Sequence, residues 1–494
     1  MPSRPTTRWQ VSGYRFLVRR MEHALVRRDV RMLHDPMRSQ SRAYTVGIVL
    51  ACVVLAGCGL LALLRPQDKV GSSKILIGKD SGAVYVKIDD VVHPALNLAS
   101  ARLAAGGAEK PGTVKDSELS KNPRGPLIGI PGAPASLNFD KAGTGRPWTV
   151  CDSMKIDGTN NVTTSVLIGE LDLGEKSSPM PADKAMLVQG KSATYLIYDN
   201  KRARVNTSVN AVMDALHMRG ATPRPVSEGL INAIPEVWPI EPPRIDDPGA
   251  ETTYPVGDHR VGEVVEEAGT GQHFVVLTDG LQAITPVTAD IIRNSNPGAD
   301  RNPTITQFEH SQADTTNRLQ VGDYPKTAPS PLDGKDQPIS CLSWKPNTAA
   351  SKDAGGANRA ELSVLTGVSL PMPADAKLVP LAQADDSGPN LDSVYFKPGS
   401  GAFVQTTGIE PDSQRRDSMF YVGDTGVRFG IKDMESLKAL GMDEQSGVKP
   451  ELAPWPIVGL LAGGPTMGRE EAMVAHDGVA PDSAPAKEPV ASPK

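Results

Sequence analysis

An uninterrupted apolar stretch from Ala43 to Leu64 constrains this chain more than any other feature of its sequence. The stretch has no charged residue and is bounded by Arg42 and Arg65. At about 1.5 Å rise per residue, a helix of this length spans about 30 Å, the thickness of the hydrocarbon core of a bilayer. The sequence therefore predicts one transmembrane helix over residues 43–64, a short arm before it and a long region after it.

The charges that flank the stretch predict its orientation. Residues 1–42 contain ten arginines and only three acidic residues, Glu22, Asp29 and Asp35. Arginine-rich flanks stay on the cytoplasmic side of a membrane. We therefore expect a single-pass membrane protein, with its N-terminus in the cytoplasm and about 430 residues outside.

Two other interpretations of the stretch are weaker. A cleaved signal peptide has a shorter apolar core that begins closer to the N-terminus. The phrase Leu55-Ala-Gly-Cys58 resembles a bacterial lipobox, but cleavage there would leave six apolar residues behind the lipid. A small cysteine within a membrane helix explains Cys58 more simply.

Charge and composition limit the classes of function. The net charge of −5 combines an arm of about +7 with an acidic remainder of about −12, which argues against nucleic acid as a partner of the large region. Glycine (47 residues) and proline (43) are frequent, whereas aromatic residues make up only 4%. This composition favours several small, loop-rich modules over one large core.

Two of the four cysteines predict a disulfide. Cys52 and Cys58 fall within the membrane stretch, which leaves Cys151 and Cys341 as the only cysteines outside it. Such a pair in an oxidising compartment favours a bridge, and two separate buried thiols are the alternative. A bridge over 190 residues would remove about 5 kcal/mol of unfolded-state freedom on the chain-entropy model.

The arm before the membrane predicts a basic amphipathic helix from Val11 to Leu33. Its apolar residues recur every three or four positions among arginines, as in Tyr14, Leu17, Val18, Met21 and Leu25. Such a helix could lie on anionic headgroups or dock a cytoplasmic partner, and it could equally be a positively charged flank without a partner.

A strand–turn–strand–helix pattern recurs four times after the membrane stretch. Asp-Gly or a similar pair at its centre favours a tight hairpin. Three copies are followed by a Ser, Leu and Pro phrase; for the third copy Leu319–Tyr324 is the best candidate. The strand pairs and their helices cover 83–93 with 97–105, 194–205 with 208–216, 273–284 with 287–294, and 419–430 with 434–440.

These patterns divide the chain into nine segments and predict an α+β extracytoplasmic region. Strand-like pieces at Thr163–Ile168 and Glu361–Val364 flank the cysteines and predict a central β-rich core clamped by the disulfide. The segments are the arm (1–42), the transmembrane helix (43–64), repeat 1 (65–142), the first core segment (143–182), repeat 2 (183–250), repeat 3 (251–333), the second core segment (334–388), repeat 4 (389–470) and a flexible tail (471–494).

One segment imitates a catalytic motif. Ala185 to Ser192, with Gly190 and Lys191, fits a loosened phosphate-loop pattern. A functional phosphate loop needs a glycine-rich turn between a strand and a helix, whose amides bind phosphates. Here a second strand follows, so we expect a hairpin turn without a nucleotide.

No other pattern predicts catalysis or a cofactor. The eight histidines are scattered, without a His-x-Glu-x-x-His or a Cys-x-x-Cys motif, and no Gly-x-Ser-x-Gly elbow occurs. We therefore assign no catalytic, cofactor-binding or metal-binding residue, and the chain is expected not to be an enzyme.

Several phrases together resemble the EccB membrane components of type VII (ESX) secretion systems. They are Val11–Phe16 with Arg19-Arg20, Leu96–Leu103, Pro123–Pro134, Trp148–Cys151, Trp455 and Gly464–Arg469. The resemblance runs nearly end to end. It implies one membrane helix with the N-terminus inside, four periplasmic repeats around a disulfide-linked core, contacts between EccB copies, and assembly with the EccC motor ATPase, EccD and usually EccE.

The resemblance leaves three functions to compare. The first is a structural scaffold of the secretion complex whose arm meets the motor. The second is an ATP-hydrolysing subunit, because some members of the family are labelled ATPases. The third is a cell-wall anchor, because small extracytoplasmic repeats often bind glycan.

Overall fold

A computed structural model of the chain describes residues 7–31, 36–64, 70–156, 161–296, 303–347, 360–385 and 390–479. The chain divides into two compact units, Met1–Lys69 and Val70–Lys494. Most of the predicted tail, residues 480–494, lies outside the described residues, as do 32–35 of the arm.

The described part of the first unit, residues 7–31 and 36–64, contains two helices. The helix Arg8–Arg27 begins after Thr7, whose amide donates to the Gln10 side chain (2.9 Å), and ends where Arg28 adopts a left-handed conformation. The predicted arm helix is therefore shifted toward the N-terminus. The second helix, Pro36–Leu64, begins before the apolar stretch, and its segment Ser39–Leu61 is long and apolar enough to cross a membrane.

Five sheets occur among the residues that the structure describes in the second unit. The central sheet has seven strands, in the order Val379–Pro380, Ser393–Phe396, Val162–Ile168, Trp148–Met154, Ile339–Pro346, Ala360–Gly367 and Ser177–Pro179. Its four long strands are mostly buried, since they are covered on both faces. The α+β class predicted for this region is confirmed.

The other four sheets share one topology. Each begins with three antiparallel strands in sequence, followed by a helix and a strand parallel to the first strand. A second helix then leads to a strand or bridge parallel to the third strand. The predicted strand–turn–strand–helix pattern corresponds to the second strand, third strand and first helix of each sheet.

The first and second sheets come from the N-terminal half, with late additions. The first contains Ile75–Gly78, Val84–Ile88, Val91–Ala95, Gly112–Val114, Leu127–Ile128 and Ala475–His476, with helices Leu98–Ala105 and Asp116–Leu119. The second contains Lys184–Gln189, Thr194–Tyr198, Lys201–Val205, Arg224–Pro225, Glu236–Ile240 and Ser330–Pro331, with helices Asn210–Ala215 and Glu228–Ala233.

The third and fourth sheets follow in chain order. The third contains Val264–Glu267, His273–Leu277, Gly280–Ile284 and Thr304–Ile305, with helices Pro286–Ser295 and Gln307–Gln312. The fourth contains Gly401–Thr407, Met419–Gly423, Val427–Gly430, Glu451–Pro454 and Ala462–Gly463, with helices Met434–Leu440, Trp455–Val458 and Arg469–Ala472 and the 3₁₀ turn Glu444–Ser446.

Three predicted boundaries and one predicted phrase differ from these sheets. Strand Ser393–Phe396 belongs to the central sheet, not to repeat 4, because it pairs in parallel with Val162–Ile168. Ser330–Pro331 joins the second sheet rather than repeat 3. Ala475–His476, predicted as flexible tail, pairs with Leu127–Ile128. In the third sheet the second helix, Gln307–Gln312, precedes the predicted phrase Leu319–Tyr324.

Hairpin turns account for part of the topology that the four sheets share. The central residues of two hairpins, Asp89-Asp90 and Asp199-Asn200, all have positive φ. Such a pair forms a type I′ turn, whose twist matches that of the strands, and short polar side chains tolerate it better than others. The aspartates that mark these turns in the sequence therefore have a conformational role.

Shared apolar cores connect the sheets. One core combines the central, second and fourth sheets, with Trp148, Trp344 and Leu230 among its buried residues. A second joins the second and third sheets, and a third joins the first and fourth. The five sheets therefore pack as a connected series in which the central sheet lies between the second and the fourth.

Candidate functional site

The disulfide lies in the middle of the central sheet. Cys151 and Cys341 bond directly, are fully buried, and occupy directly opposed positions on neighbouring antiparallel strands. Their Cα atoms are 4.0 Å apart, close to the narrow spacing of a non-hydrogen-bonded pair. The predicted bridge is confirmed, and it joins the two stretches of the chain that build this sheet.

A buried carboxylate lies next to this disulfide. Asp152, which is 1% exposed, accepts hydrogen bonds from the Ser227 amide (2.6 Å), the Ser227 hydroxyl (2.7 Å) and the Thr164 hydroxyl (3.1 Å). Burial raises the pKa of Asp152 to about 6, although the Ser227 bonds oppose this shift. Ser227 also caps the helix Glu228–Ala233 through the Leu230 amide. Asp152 thus ties a helix of the second sheet to the central sheet.

Arg224 extends this polar contact. Its guanidinium donates to the carbonyls of Gln337 (2.8 Å) and Pro338 (2.9 Å), and burial lowers its pKa. Sequence patterns predicted neither Asp152 nor Arg224 as a buried polar residue. The one available signal was a charged residue inside an otherwise apolar strand, immediately after a cysteine.

An ion pair with a buried carboxylate joins the central and fourth sheets. Arg146, just before strand Trp148–Met154, donates to both carboxylate oxygens of Glu451 at 2.8 and 2.5 Å. Glu451 is 1% exposed, and burial raises its pKa while Arg146 opposes the shift. The guanidinium also lies 5.1 Å from the centre of the Phe396 ring.

The segment that imitates a phosphate loop is a hairpin turn. Lys184–Gln189 pairs with Thr194–Tyr198, and the Gly190 amide donates to the Ala193 carbonyl at 3.0 Å. In a phosphate loop the Lys191 amide would donate to a phosphate oxygen. Here it donates instead to a carboxylate oxygen of Glu228 at 2.7 Å. The prediction of a hairpin is confirmed, and its amides face a negative charge.

A groove lies beside this hairpin, but its lining offers no uncompensated positive charge that favours a phosphate. It encloses about 570 Å³, and Thr194, Arg204 and Glu241 contribute to its lining. Arg204 pairs with Glu236 at 3.1 Å, so its charge is compensated. Among the residues that the structure describes, no cluster of His, Cys, Asp and Glu could hold a metal ion.

Two phrases that carry the family resemblance lie against each other in the first sheet. The Asn97 side chain donates to the Ile130 carbonyl (2.9 Å), and the Ile130 amide donates to the Ser100 hydroxyl (2.8 Å). The C-terminal segment reaches the same place, because the Gly129 amide donates to the Val474 carbonyl and His476 Nε2 lies 2.8 Å from the Gly129 carbonyl. The residues that carry the resemblance therefore also form a hydrogen-bonded junction in the fold.

The family model described as "Type VII secretion system ESX-1, transport TM domain B" matches residues 3–481. The chain belongs to the EccB family of type VII secretion proteins. The match covers both units of the chain, including the apolar helix and all five sheets.

Curated EccB proteins are similar over nearly the whole chain. The protein named "ESX-3 secretion system ATPase EccB3" from Mycolicibacterium smegmatis is 38% identical over 97% of this chain and 92% of its own length. "ESX-5 secretion system ATPase EccB5" from Mycobacterium marinum is 35% identical, over 98% of this chain and 96% of its own length.

Solved EccB structures have the same fold. An EccB-like chain in "Structure of an intact ESX-5 inner membrane complex" superposes with a TM-score of 0.74 at 34% identity, covering 99% of each chain. The chain in "Structure of EccB3 dimer from the ESX-3 core complex" superposes with a TM-score of 0.69 at 34% identity, covering 82% of this chain and all of that one. This EccB chain is therefore similar to core components of ESX membrane complexes.

Proposed function

We propose that the chain is a structural component of a type VII secretion inner-membrane complex. It scaffolds the assembly through contacts between extracytoplasmic regions of neighbouring copies and through a cytoplasmic arm that meets an EccC-type motor ATPase, beside EccD and EccE. The observation that carries the proposal is the full-length fit to a subunit of the intact ESX-5 complex.

Four repeat modules form the body of this scaffold. The shared topology of the four peripheral sheets supports their origin as copies of one unit, with residues 75–128, 184–240, 264–315 and 401–463 as the module limits. Connected cores and the Cys151–Cys341 bridge hold the modules in fixed relation. A rigid body of this kind suits a subunit that holds neighbours at a set spacing.

The membrane topology follows from charge. The arginine excess of residues 1–42 supports a cytoplasmic N-terminus, with the sheets on the periplasmic or cell-wall side. The disulfide is consistent with an oxidising compartment for the large unit. The membrane helix then connects an arm on the motor side to a scaffold on the other side.

Co-purification of the membrane complex tests this function. Deletion of residues 2–28 keeps the membrane helix and should abolish recovery of the motor ATPase while leaving crosslinks between extracytoplasmic copies. A matched deletion of residues 480–494 serves as the control for truncation. An intact, secretion-competent complex without the arm would contradict the proposal.

ATP hydrolysis is a second candidate, favoured by the names of the curated relatives. The carboxylate of Glu228 on the Lys191 amide weighs against a nucleotide at this turn. We expect Lys191→Ala to leave any ATPase activity of the purified full-length protein unchanged, with Lys184→Ala as a matched control. Loss of hydrolysis with the first variant alone would establish the turn as a nucleotide site.

A further inference from the structure

The helix Arg8–Arg27 carries an apolar stripe that no residue described by the structure buries. Val11, Tyr14, Val18, Met21 and Leu25 follow one another at intervals of three or four residues and therefore share one face. No residue of the helix is buried, and Met21 and Leu25 are 61% and 82% exposed. Exposed apolar area of this extent is unfavourable in water, so the face requires an apolar surface.

The width of the stripe favours a bilayer over a single partner helix. Leu17 and Ala24 extend the apolar face to one side of the stripe. A seam between two coiled helices needs only the narrow row of positions spaced three and four apart. A broad face is typical of helices that lie in the plane of a membrane interface.

The charges on this helix complement an anionic surface. Five arginines and only one acidic residue, Glu22, lie between residues 8 and 27. Arg15 and Arg20 lie at the two edges of the apolar face, next to Val11 and Ala24, where their long side chains reach headgroup phosphates while the stems remain in apolar contact. Trp9 and Phe16, which are 88% and 55% exposed, are spaced by seven residues and lie on the opposite face with His23, where they remain available to a protein contact.

A short connection holds the helix close to the bilayer. The helix ends at Arg27, and the helix that contains the membrane span begins at Pro36. Eight residues reach at most about 26–29 Å. The arm therefore stays within reach of the headgroups on its own side of the membrane, and binding costs little additional entropy.

We propose that the helix Arg8–Arg27 binds the anionic phospholipid surface of the bilayer that the helix Pro36–Leu64 spans, with its Tyr14–Met21–Leu25 face toward the acyl chains. The opposite face, with Arg8, Ser12 and Arg19, stays in water. Lipid binding is independent of the proposed contact with the motor, because that contact would use the exposed polar face.

Spin-label accessibility in the full-length protein tests this proposal. Cys52 and Cys58 are replaced by serine, and a label is placed at Met21→Cys or, on the opposite face, at His23→Cys. In nanodiscs containing phosphatidylglycerol, the label at 21 should be accessible to oxygen and shielded from a water-soluble nickel reagent, whereas the label at 23 should be accessible to nickel. In phosphatidylcholine nanodiscs at high salt this difference should disappear.

Charge variants separate the electrostatic contribution to lipid binding from the apolar contribution. Arg15→Gln, Arg20→Gln and Arg27→Gln together should lower the ratio of bound to unbound arm on the order of 100-fold, about fivefold per arginine. Glu22→Gln, a matched control, should leave the arm bound. Nickel access at both positions in anionic nanodiscs, or shielding of both labels from both reagents as in a protein–protein contact, would overturn the proposal.

Discussion

Asp152 of the central sheet accepts two hydrogen bonds from Ser227, one from its amide and one from its hydroxyl. Seventy-five residues separate the two positions. The contact places a buried carboxylate against the N-terminus of a helix, where the helix dipole and two donors stabilise its charge. Burial nevertheless dominates, since it raises the pKa of Asp152 to about 6. This balance makes the junction between the central and second sheets sensitive to pH.

We expect Asp152 to make the free energy of unfolding fall as the pH rises. A carboxyl whose pKa is raised from 3.8 to about 6 in the folded state stabilises the fold fully below pH 3.8, and this contribution is lost as the pH rises through 6. Relative to Asp152→Asn, the wild type should lose up to about 3 kcal/mol between pH 4 and pH 7. Denaturant unfolding of the full-length protein in detergent, followed by tryptophan fluorescence, measures this difference.

Asp140→Asn is the matched control for this pH dependence. A hydrogen bond from Thr144 lowers the pKa of Asp140, so its contribution is present above pH 3.8 and is lost only as the pH falls further. The difference between wild type and Asp140→Asn should stay flat from pH 4 to pH 7. A flat profile for Asp152→Asn as well would refute the raised pKa.

Removal of the central disulfide should lower the unfolding free energy without changing the fold. Cys151→Ser with Cys341→Ser frees a loop of 190 residues in the unfolded state, with an expected cost of up to about 5 kcal/mol. Denaturant midpoints with and without a reductant measure this cost. Replacement of Cys52 and Cys58 should leave the midpoint unchanged, and equal midpoints for all three proteins would contradict the prediction.

The ion pair between Arg146 and Glu451 should be costly to break from one side. Arg146→Met leaves a buried carboxylate without its partner, at a cost of about 3–5 kcal/mol, whereas Arg146→Met with Glu451→Gln should recover much of that loss. A double-mutant cycle of unfolding free energies measures the coupling energy between the two side chains. The exposed pair Arg469–Glu435 provides the comparison, since Arg469→Ala should cost less than about 1 kcal/mol.

Gly280 should tolerate no side chain in the third sheet. A Cβ at this position would lie 2.2 Å from the Asp314 carbonyl oxygen, beside the bridge between Leu281 and Thr315. Gly280→Ala should therefore lower the unfolding free energy by about 1–3 kcal/mol because the backbone must shift. At Gly322, where a Cβ meets nothing within 4 Å, the same substitution should change it by less than about 0.5 kcal/mol. Equal stabilities of the two variants would count against this packing.

The sequence pattern was informative where the signal is local. Turn residues such as Asp199-Asn200 predicted hairpins, and the two remaining cysteines predicted their own pairing. Parallel edge strands such as Arg224–Pro225 were missed because two residues carry no periodicity. Ser393–Phe396 was assigned to the wrong sheet, since its partner strand is more than 200 residues earlier in the chain.

The polar junctions were unpredictable for a related reason. Asp152 belongs to the central sheet, whereas Ser227 and Arg224 belong to the second sheet and its helix, and only the packing of the two sheets brings them together. Aspartate in a sequence also marks turns, so the one signal, the position of Asp152 inside a strand after Cys151, did not distinguish a buried carboxylate from a turn residue. The segment that imitates a phosphate loop could be interpreted correctly, because the evidence was local. The strand that follows it, Thr194–Tyr198, shows that the segment is a hairpin turn.

The pairing of Ala475–His476 with Leu127–Ile128 has a consequence for the order of synthesis. The first sheet begins at residue 75, yet its outermost strand, Ala475–His476, comes about 400 residues later in the chain. The central sheet likewise waits for Ile339–Pro346 before Trp148–Met154 gains its second neighbour. Because such distant pairings are slow to form, each sheet keeps an incomplete edge until its distant strand has been synthesised, and only after residues 475–476 can a copy present a finished surface to its neighbours.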